Sequence, residues 1–256
     1  MTSRRGRIRI GTSGYQYRHW RDVFYPEDVP QRAWLAYYTG VFETVELNAT
    51  FYRLPDDAVV ESWLEQVPSG FLFALKFSRY GSHNKRLKEP EKSVEPFVRM
   101  ARILGDRLGP ILVQLPPRWH INLPRLEAFL TALPSDLRWA VEFRDPGWLC
   151  EDTYRLLESK GVALCVHDML PDHPERLTAD WQYRRFHGVR YGGSYSRRQL
   201  EEQAARMNRL AGQGVDTYVY FNNDQGGWAP RNALELRGIL SGRGVSEAGR
   251  EGERPN

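Results

Sequence analysis

Apolar and polar positions along the chain fall into two alternating rhythms. Short β-rich runs occur at 8–12, 44–48, 71–77, 111–115, 138–144, 162–167, 183–187 and 217–222. Between most of them lie stretches with apolar residues at helical spacing, such as Val59, Trp63 and Val67. These predict helices over 31–42, 58–67, 94–104, 123–133, 152–160, 197–211 and 231–240. Ser196 followed by Gln199 reads as a capping box, and Pro230 suits the first turn of the last helix. Eight strands with helices between them mean a parallel sheet, and eight such strands close a barrel. The expected fold is therefore α/β: a single (β/α)8 TIM barrel over 8–240. Its sixth crossover should be irregular, since 169–182 holds two prolines and little helical period. An open doubly wound sheet would need a first turn of the form G-x-G-x-x-G, and Gly11-Thr12-Ser13-Gly14 lacks that spacing.

Strand side chains alternate between faces, so parity separates those packed on helices from those inside the barrel. Val45 and Leu47 should pack outward, leaving Thr44, Glu46 and Asn48 inward. The same reasoning turns Lys76, Gln114, Glu142, Arg144, His167, Arg185, His187 and Asn222 inward, with Ala74, Cys165, Tyr218 and Tyr220 below them. The polar members cluster at the carboxyl ends of the strands, where function sits in barrels of this type. The rival reading of the cluster is a structural ion network, for instance Glu46 with Lys76 and Glu142 with Arg144, and a network and a site can be the same residues. If the site is open and wet, water solvates Arg144 and replacing Glu142 by Gln costs little stability.

Composition adds limits. No apolar stretch approaches the roughly 20 residues that span a bilayer. The basic start, Arg4, Arg5 and Arg7, is followed by no apolar segment of a secretory signal. A cytoplasmic protein with no membrane partner is expected. Cys150 and Cys165 form neither a C-x-x-C pair nor a zinc spacing. The net charge is +4, but residues 10–240 hold 29 basic and 29 acidic side chains. The excess sits in 1–9, of which 1–7 read as a disordered basic arm. Residues 241–256 are almost free of apolar side chains and read as a disordered tail. The pattern specifies no oligomeric state.

Several motifs together resemble the YecE-like proteins. They are Ile10-Gly11-Thr12-Ser13-Gly14-Tyr15 with Trp20 and Phe24-Tyr25-Pro26, then Val45-Glu46-Leu47-Asn48-Ala49-Thr50-Phe51-Tyr52 and Val113-Gln114-Leu115-Pro116-Pro117. Val141-Glu142-Phe143-Arg144, Arg185-Phe186-His187-Gly188, Tyr195-Ser196 and Tyr220-Phe221-Asn222-Asn223 complete the set. The resemblance runs from about Ile8 to Leu240. It implies a (β/α)8 barrel and supplies no reaction, since the family is one of unknown function. As an analogy of fold, that family is similar to metal-dependent apurinic endonuclease barrels.

The loops set the chemistry to look for. Tyr191-Gly192-Gly193-Ser194 and Asn223-Asp224-Gln225-Gly226-Gly227 each lead into a helix, where backbone N–H groups can meet an anion, and Arg190 flanks the first. The 79–88 loop carries Arg79, His83, Lys85, Arg86 and Lys88, either as a solvated charged loop or as an arm reaching phosphates. Tyr15, Tyr17, Trp20, Phe51, Tyr52, Trp119, Trp148 and Trp228 follow strands, and two or three of them should reach a ligand. Glu46, Glu142, His167 and His187 lack a local metal spacing, and Lys76, Arg144 and Arg185 would repel a cation. No metal and no cofactor are expected.

The reading is a metal-independent enzyme with hydrolase or lyase chemistry on a small phosphorylated, sugar-like or nucleotide-like anion. Glu46 and Glu142 would move protons with His187, while Lys76, Arg144 and Arg185 neutralise charge. Ser13, Tyr15, Trp20, Asn48, Gln114, His167, Gly192, Gly193, Ser194, Asn222, Asn223 and Asp224 would bind and orient the ligand. One rival is a nucleic-acid-binding or DNA-repair-type protein. Another is a barrel that binds its ligand without turning it over.

Overall fold

The structure, a computed structural model, describes residues 4–188 and 192–242. Eight parallel strands run in the order β1-β8-β7-β6-β5-β4-β3-β2. They are β1 Ile8–Thr12, β2 Thr44–Leu47, β3 Leu72–Lys76, β4 Leu108–Gln114, β5 Trp139–Glu142, β6 Ala163–His167, β7 Trp181–Phe186 and β8 Asp216–Phe221. Helices α1 Trp34–Val41, α3 Asp57–Glu65, α4 Glu91–Arg102, α5 Leu123–Thr131, α6 Glu151–Ser159, α7 Arg197–Gly212 and α8 Trp228–Leu240 surround them. A one-turn helix, α2 Ala49–Tyr52, follows β2, and a π-helical turn, Tyr80–Asn84, follows β3. Neither is long enough to carry a periodic signal, so neither was visible in the pattern. The sixth crossover has no helix, as expected. Thr178 pins it instead, donating to Val162 O and accepting from Leu164 N, each at 2.7 Å. Among the described residues no helix is long and apolar enough to cross a membrane.

The seam between β1 and β2 closes through a helix side chain. The Tyr38 hydroxyl of α1 donates to Thr44 O at 3.1 Å and accepts from Thr12 N at 2.9 Å. It stands where strand-to-strand hydrogen bonds would lie. The seam is tight enough to require glycine at position 11, since a Cβ there would sit 2.1 Å from Thr44 O. Above it the strands meet directly, with Gly14 N donating to Glu46 O at 2.7 Å.

The interior is filled asymmetrically. Small residues from β3, β5 and β6 (Ala74, Ala140, Ala163, Cys165) face large ones from β7 and β8 (Trp181, Tyr183, Tyr218, Tyr220). This packing fills the interior with buried side chains and makes a platform for the polar layer above. The opposite end is plugged by Arg138, which donates to Tyr218 Oη at 2.6 Å. Residues 4–7 lie at that same end. Arg7 O accepts from Thr217 N at 2.8 Å, and Arg4 pairs with Asp216 at 2.5 Å. The basic arginines of the amino-terminal segment therefore sit across the molecule from the strands' carboxyl ends. The 243–256 tail lies outside the described residues.

Candidate functional site

Strand alternation and the aromatic platform together force a charged layer at the carboxyl ends of the strands. Its hub is Arg185 on β7, fully buried. Nη1 donates to Glu142 Oε2 at 2.7 Å and Nη2 donates to Glu46 Oε1 at 2.8 Å. Glu46 also accepts from Tyr183 Oη at 2.6 Å and from the Ser13 hydroxyl. Glu142 also accepts from Arg144 Nε. Neither carboxylate is reached by solvent. Burial alone would raise the Glu142 pKa, but the Arg144 and Arg185 guanidiniums hold it well below the usual carboxylate range. The expectation of an open, wet Glu142 is thus corrected, because Arg185 and Arg144 enclose it. The Glu46–Lys76 pair of the ion-network alternative does not form among the described residues. Glu46 goes to Arg185 because β7, not β3, brings a long side chain across the platform.

His187 extends this layer. Its Nε2 lies 3.1 Å from Arg144 Nη2 and 3.2 Å from Arg185 Nη1. Guanidinium nitrogens only donate, so Nε2 is the acceptor and the proton sits on Nδ1. Nδ1 then donates to Asp168 Oδ1 at 3.1 Å. Burial lowers the His187 pKa, which fits a neutral ring in this tautomer. Burial would raise the Asp168 pKa, but hydrogen bonds from His187 and Tyr195 hold it down. Among the described residues His167 shares no hydrogen bond with a carboxylate. Its Nε2 meets Phe143 O at 2.7 Å, so Nε2 carries the proton.

Above this floor opens a cleft of about 790 Å³, within the range of small-molecule sites. Its walls include Tyr15, Tyr17, Asn48, Phe51, Tyr52, Lys76, Arg79, His83, Gln114, Arg144, Arg185 and Asn222. Four of the loop aromatics, Tyr15, Tyr17, Phe51 and Tyr52, line it. Lys76 differs from the two arginines beside it. Its Nζ lies 4.5 Å above the Phe51 ring, and among the described residues it has no hydrogen bond or ion pair. Burial, then the neighbouring Arg185 charge, lower its pKa from 10.5 to about 8. His83 packs edge-on to Phe51 at 5.0 Å, and burial with Lys76 and Arg79 lowers its pKa to about 4. Asn48 donates to Ser13 Oγ at 3.0 Å, while its Oδ1 is buried without a partner among the described residues.

Other residues singled out from the pattern lie off the cleft. Trp20 is fully buried, packed on Tyr17, Phe24 and Tyr25. Asp224 faces His19, whose Nε2 lies 2.7 Å from Asp224 O. Gly193 and Ser194 are tied to α8: Asn223 Nδ2 donates to Gly193 O at 2.8 Å, and Asn232 Nδ2 donates to Ser194 Oγ at 3.0 Å. Gly192 packs against the Gln225 side chain. The capping box of α7 forms as expected, and the Ser196 side chain takes up the Gln199 N–H. Arg190 and Tyr191 lie outside the described residues. Gln16, on the wall beside Tyr15, was not singled out from sequence, since an isolated loop glutamine carries no pattern. Among the described residues no three His, Cys, Asp or Glu side chains converge as metal ligands. Glu46 and Glu142, the two most central carboxylates, already hold guanidiniums.

Comparison with known proteins places this architecture. The family model described as "Protein of unknown function DUF72" matches residues 9–254. The UPF0759 protein YunF of Bacillus subtilis is 26% identical over 91% of this chain and 94% of its own length. The UPF0759 protein YecE of Escherichia coli K12 is 35% identical, over 54% of this chain and 53% of its own. A crystal structure of a DUF72 family protein from Thermotoga maritima superposes with a TM-score of 0.84 at 32% identity, covering 92% of this chain and 99% of the other. One from Enterococcus faecalis gives 0.78 at 19% identity, covering 97% and 100%, a likeness of fold alone.

Proposed function

This chain belongs to the DUF72 family of proteins of unknown function, and we propose that its barrel mouth is the site of a metal-independent enzyme acting on a small phosphorylated, sugar-like or nucleotide-like anion. One observation carries the reading. Glu46 and Glu142 are matched against Arg185 and Arg144 in the floor, whereas Lys76 stands on the cleft wall with no ion pair or hydrogen bond among the described residues. A half-buried ammonium without a direct partner is costly, and a bound anion supplies what is missing. Arg79 on the same wall adds charge, and Gln114, Asn222 and the unpaired Asn48 Oδ1 offer polar groups for ligand hydroxyls.

The arrangement also bears on roles. Glu142, held ionised by two guanidiniums, is a poor proton acceptor, and its part is to fix Arg144 and Arg185 in position. His187 Nε2 is occupied in the same way. The groups left to act on a ligand are those on the cleft wall, Lys76 foremost. Calorimetric titration with inorganic phosphate, ribose 5-phosphate and AMP tests the reading. At least one should bind with unit stoichiometry, and Lys76→Met should weaken it about 10- to 100-fold, as loss of a charge-assisted hydrogen bond does. Binding unaffected by Lys76→Met, or no binding by any of the three, contradicts it.

A nucleic-acid reading is favoured by one further feature. A second basic pocket, lined by Asn84, Lys85, Arg86, Lys88 and Arg125, adjoins the cleft through His83. Tyr52 on the cleft wall is 74% exposed, a face on which a base can stack. Single-stranded oligonucleotide binding that steepens with falling salt, and flattens in an Arg86→Ala, Lys88→Ala variant, would support this reading.

A further inference from the structure

Arginine and lysine do different things in this site. Arg144 and Arg185 keep their charge at any physiological pH and are locked by Glu142 and Glu46. A third, permanent cation would serve anion binding just as well at position 76. The chain instead places there the one basic side chain that can become a nucleophile. Lys76 ends β3, points into the cleft, and has an aromatic face as its nearest wall. Among the described residues no oxygen lies within hydrogen-bond distance of its Nζ to hold the amine protonated. Burial, and after it the Arg185 guanidinium, disfavour its charge, with Glu46 and Glu142 acting in the opposite direction. Desolvation beside other cations is how proteins activate a lysine toward carbonyl groups.

We propose that Lys76 Nζ adds to the carbonyl carbon of a small anionic aldehyde or ketone bound in the cleft and forms an imine with it. The amine first gives one proton to solvent. Its lone pair then forms the C–N bond as the C=O π pair moves to oxygen. Proton transfer from nitrogen to that oxygen through water gives the carbinolamine. The nitrogen lone pair expels the hydroxyl, which leaves as water after protonation by solvent, and loss of the remaining N–H proton gives the neutral imine. One carbonyl compound and one amine thus become one imine and one water, with no redox partner needed. Arg144 and Arg79 stand on the same cleft wall to hold the ligand's phosphate or carboxylate. At about pH 7.5 the lowered pKa gives Lys76 a neutral fraction on the order of 100-fold above that of an ordinary lysine.

The inference rests on the anion-site reading, and the test separates the two. The full chain is incubated with glyceraldehyde 3-phosphate or with pyruvate, reduced with borohydride, digested and mapped by mass. The expected result is a secondary-amine adduct concentrated on Lys76 over the exposed Lys88 and Lys92, suppressed by inorganic phosphate. Localisation on the unmodified protein does not depend on any variant folding, and Lys76→Met serves as the blank. Phosphate binding that requires Lys76, with no preferential adduct there from either carbonyl compound, overturns the imine and leaves the anion site standing. No phosphate binding and no adduct overturns both.

Discussion

Arg185 Nη1 lies 2.7 Å from Glu142 Oε2, and neither side chain is reached by solvent. This pair joins β7 to β5 across the barrel mouth, and the second arm of the same guanidinium reaches Glu46 on β2. The floor of the cleft is therefore one connected ionic lattice, with Arg185 and Glu142 each holding two opposite charges.

Glu142→Gln tests that lattice. It takes from Arg185 one of its two carboxylates and from Arg144 the carboxylate that accepts from its Nε. Breaking a buried pair in this way typically costs about 3–5 kcal/mol. Urea unfolding at neutral pH should show a loss of that size. A loss of only a few tenths of a kcal/mol would mean that water reaches Arg144.

Lys76→Met should act in the opposite direction. In the folded chain Lys76 faces Arg185, Arg144, Glu46, Glu142 and His83, and its pKa falls from 10.5 to about 8. A basic group with a lowered folded pKa destabilises the native state while both states are protonated, below about pH 8. That cost shrinks as pH rises toward 10.5, because the unfolded chain then gives up its proton too. The shift corresponds to an upper bound of about 3 kcal/mol. The methionine variant should be more stable than the parent at pH 7, with the difference closing above pH 10. Equal stability at both pH values would remove the case for a strained lysine.

Tyr38→Phe should weaken the barrel at its seam. The hydroxyl serves Thr12 N and Thr44 O at once, and an unsatisfied buried N–H costs about 1–3 kcal/mol. Hydrogen exchange should speed up at Thr12 and neighbouring β1 amides, while exchange in β4 and β5 stays slow. Uniform acceleration throughout would show that the seam has no local weakness.

Deleting residues 1–7 should leave ligand binding in the cleft unchanged, since Arg4 and Arg7 are anchored at Asp216 and Thr217 on the far end of the barrel. Titration of the truncated chain with inorganic phosphate checks this. A loss of binding without a loss of helical signal would show that the segment influences the mouth.

What could be read from the sequence follows from what alternation encodes. Period-two spacing placed Lys76, Gln114, Arg144 and Arg185 inside the barrel, and all four stand on the cleft wall. Parity says which face a side chain takes but not which partner it reaches. Parity allowed a Glu46–Lys76 pair as one alternative, yet Arg185 spans the platform to Glu46 above the small Ala74, Ala140 and Cys165. Trp20 was expected on the ligand because it follows a strand. The 14–25 loop instead folds into its own aromatic cluster and buries that ring. The glycine-rich loop before α7 is held by Asn223 and Asn232, distant in sequence, so its hydrogen bonds left no local trace. Tyr38 was equally hidden, since its hydroxyl serves two strands from a helix.

The most direct measurement is the titration of Lys76 itself, by nitrogen-detected NMR of its Nζ, without and with saturating inorganic phosphate. The account predicts a midpoint near 8 in the free protein, displaced upward when phosphate supplies the missing counter-charge. A midpoint at the ordinary lysine value that phosphate does not move would contradict it.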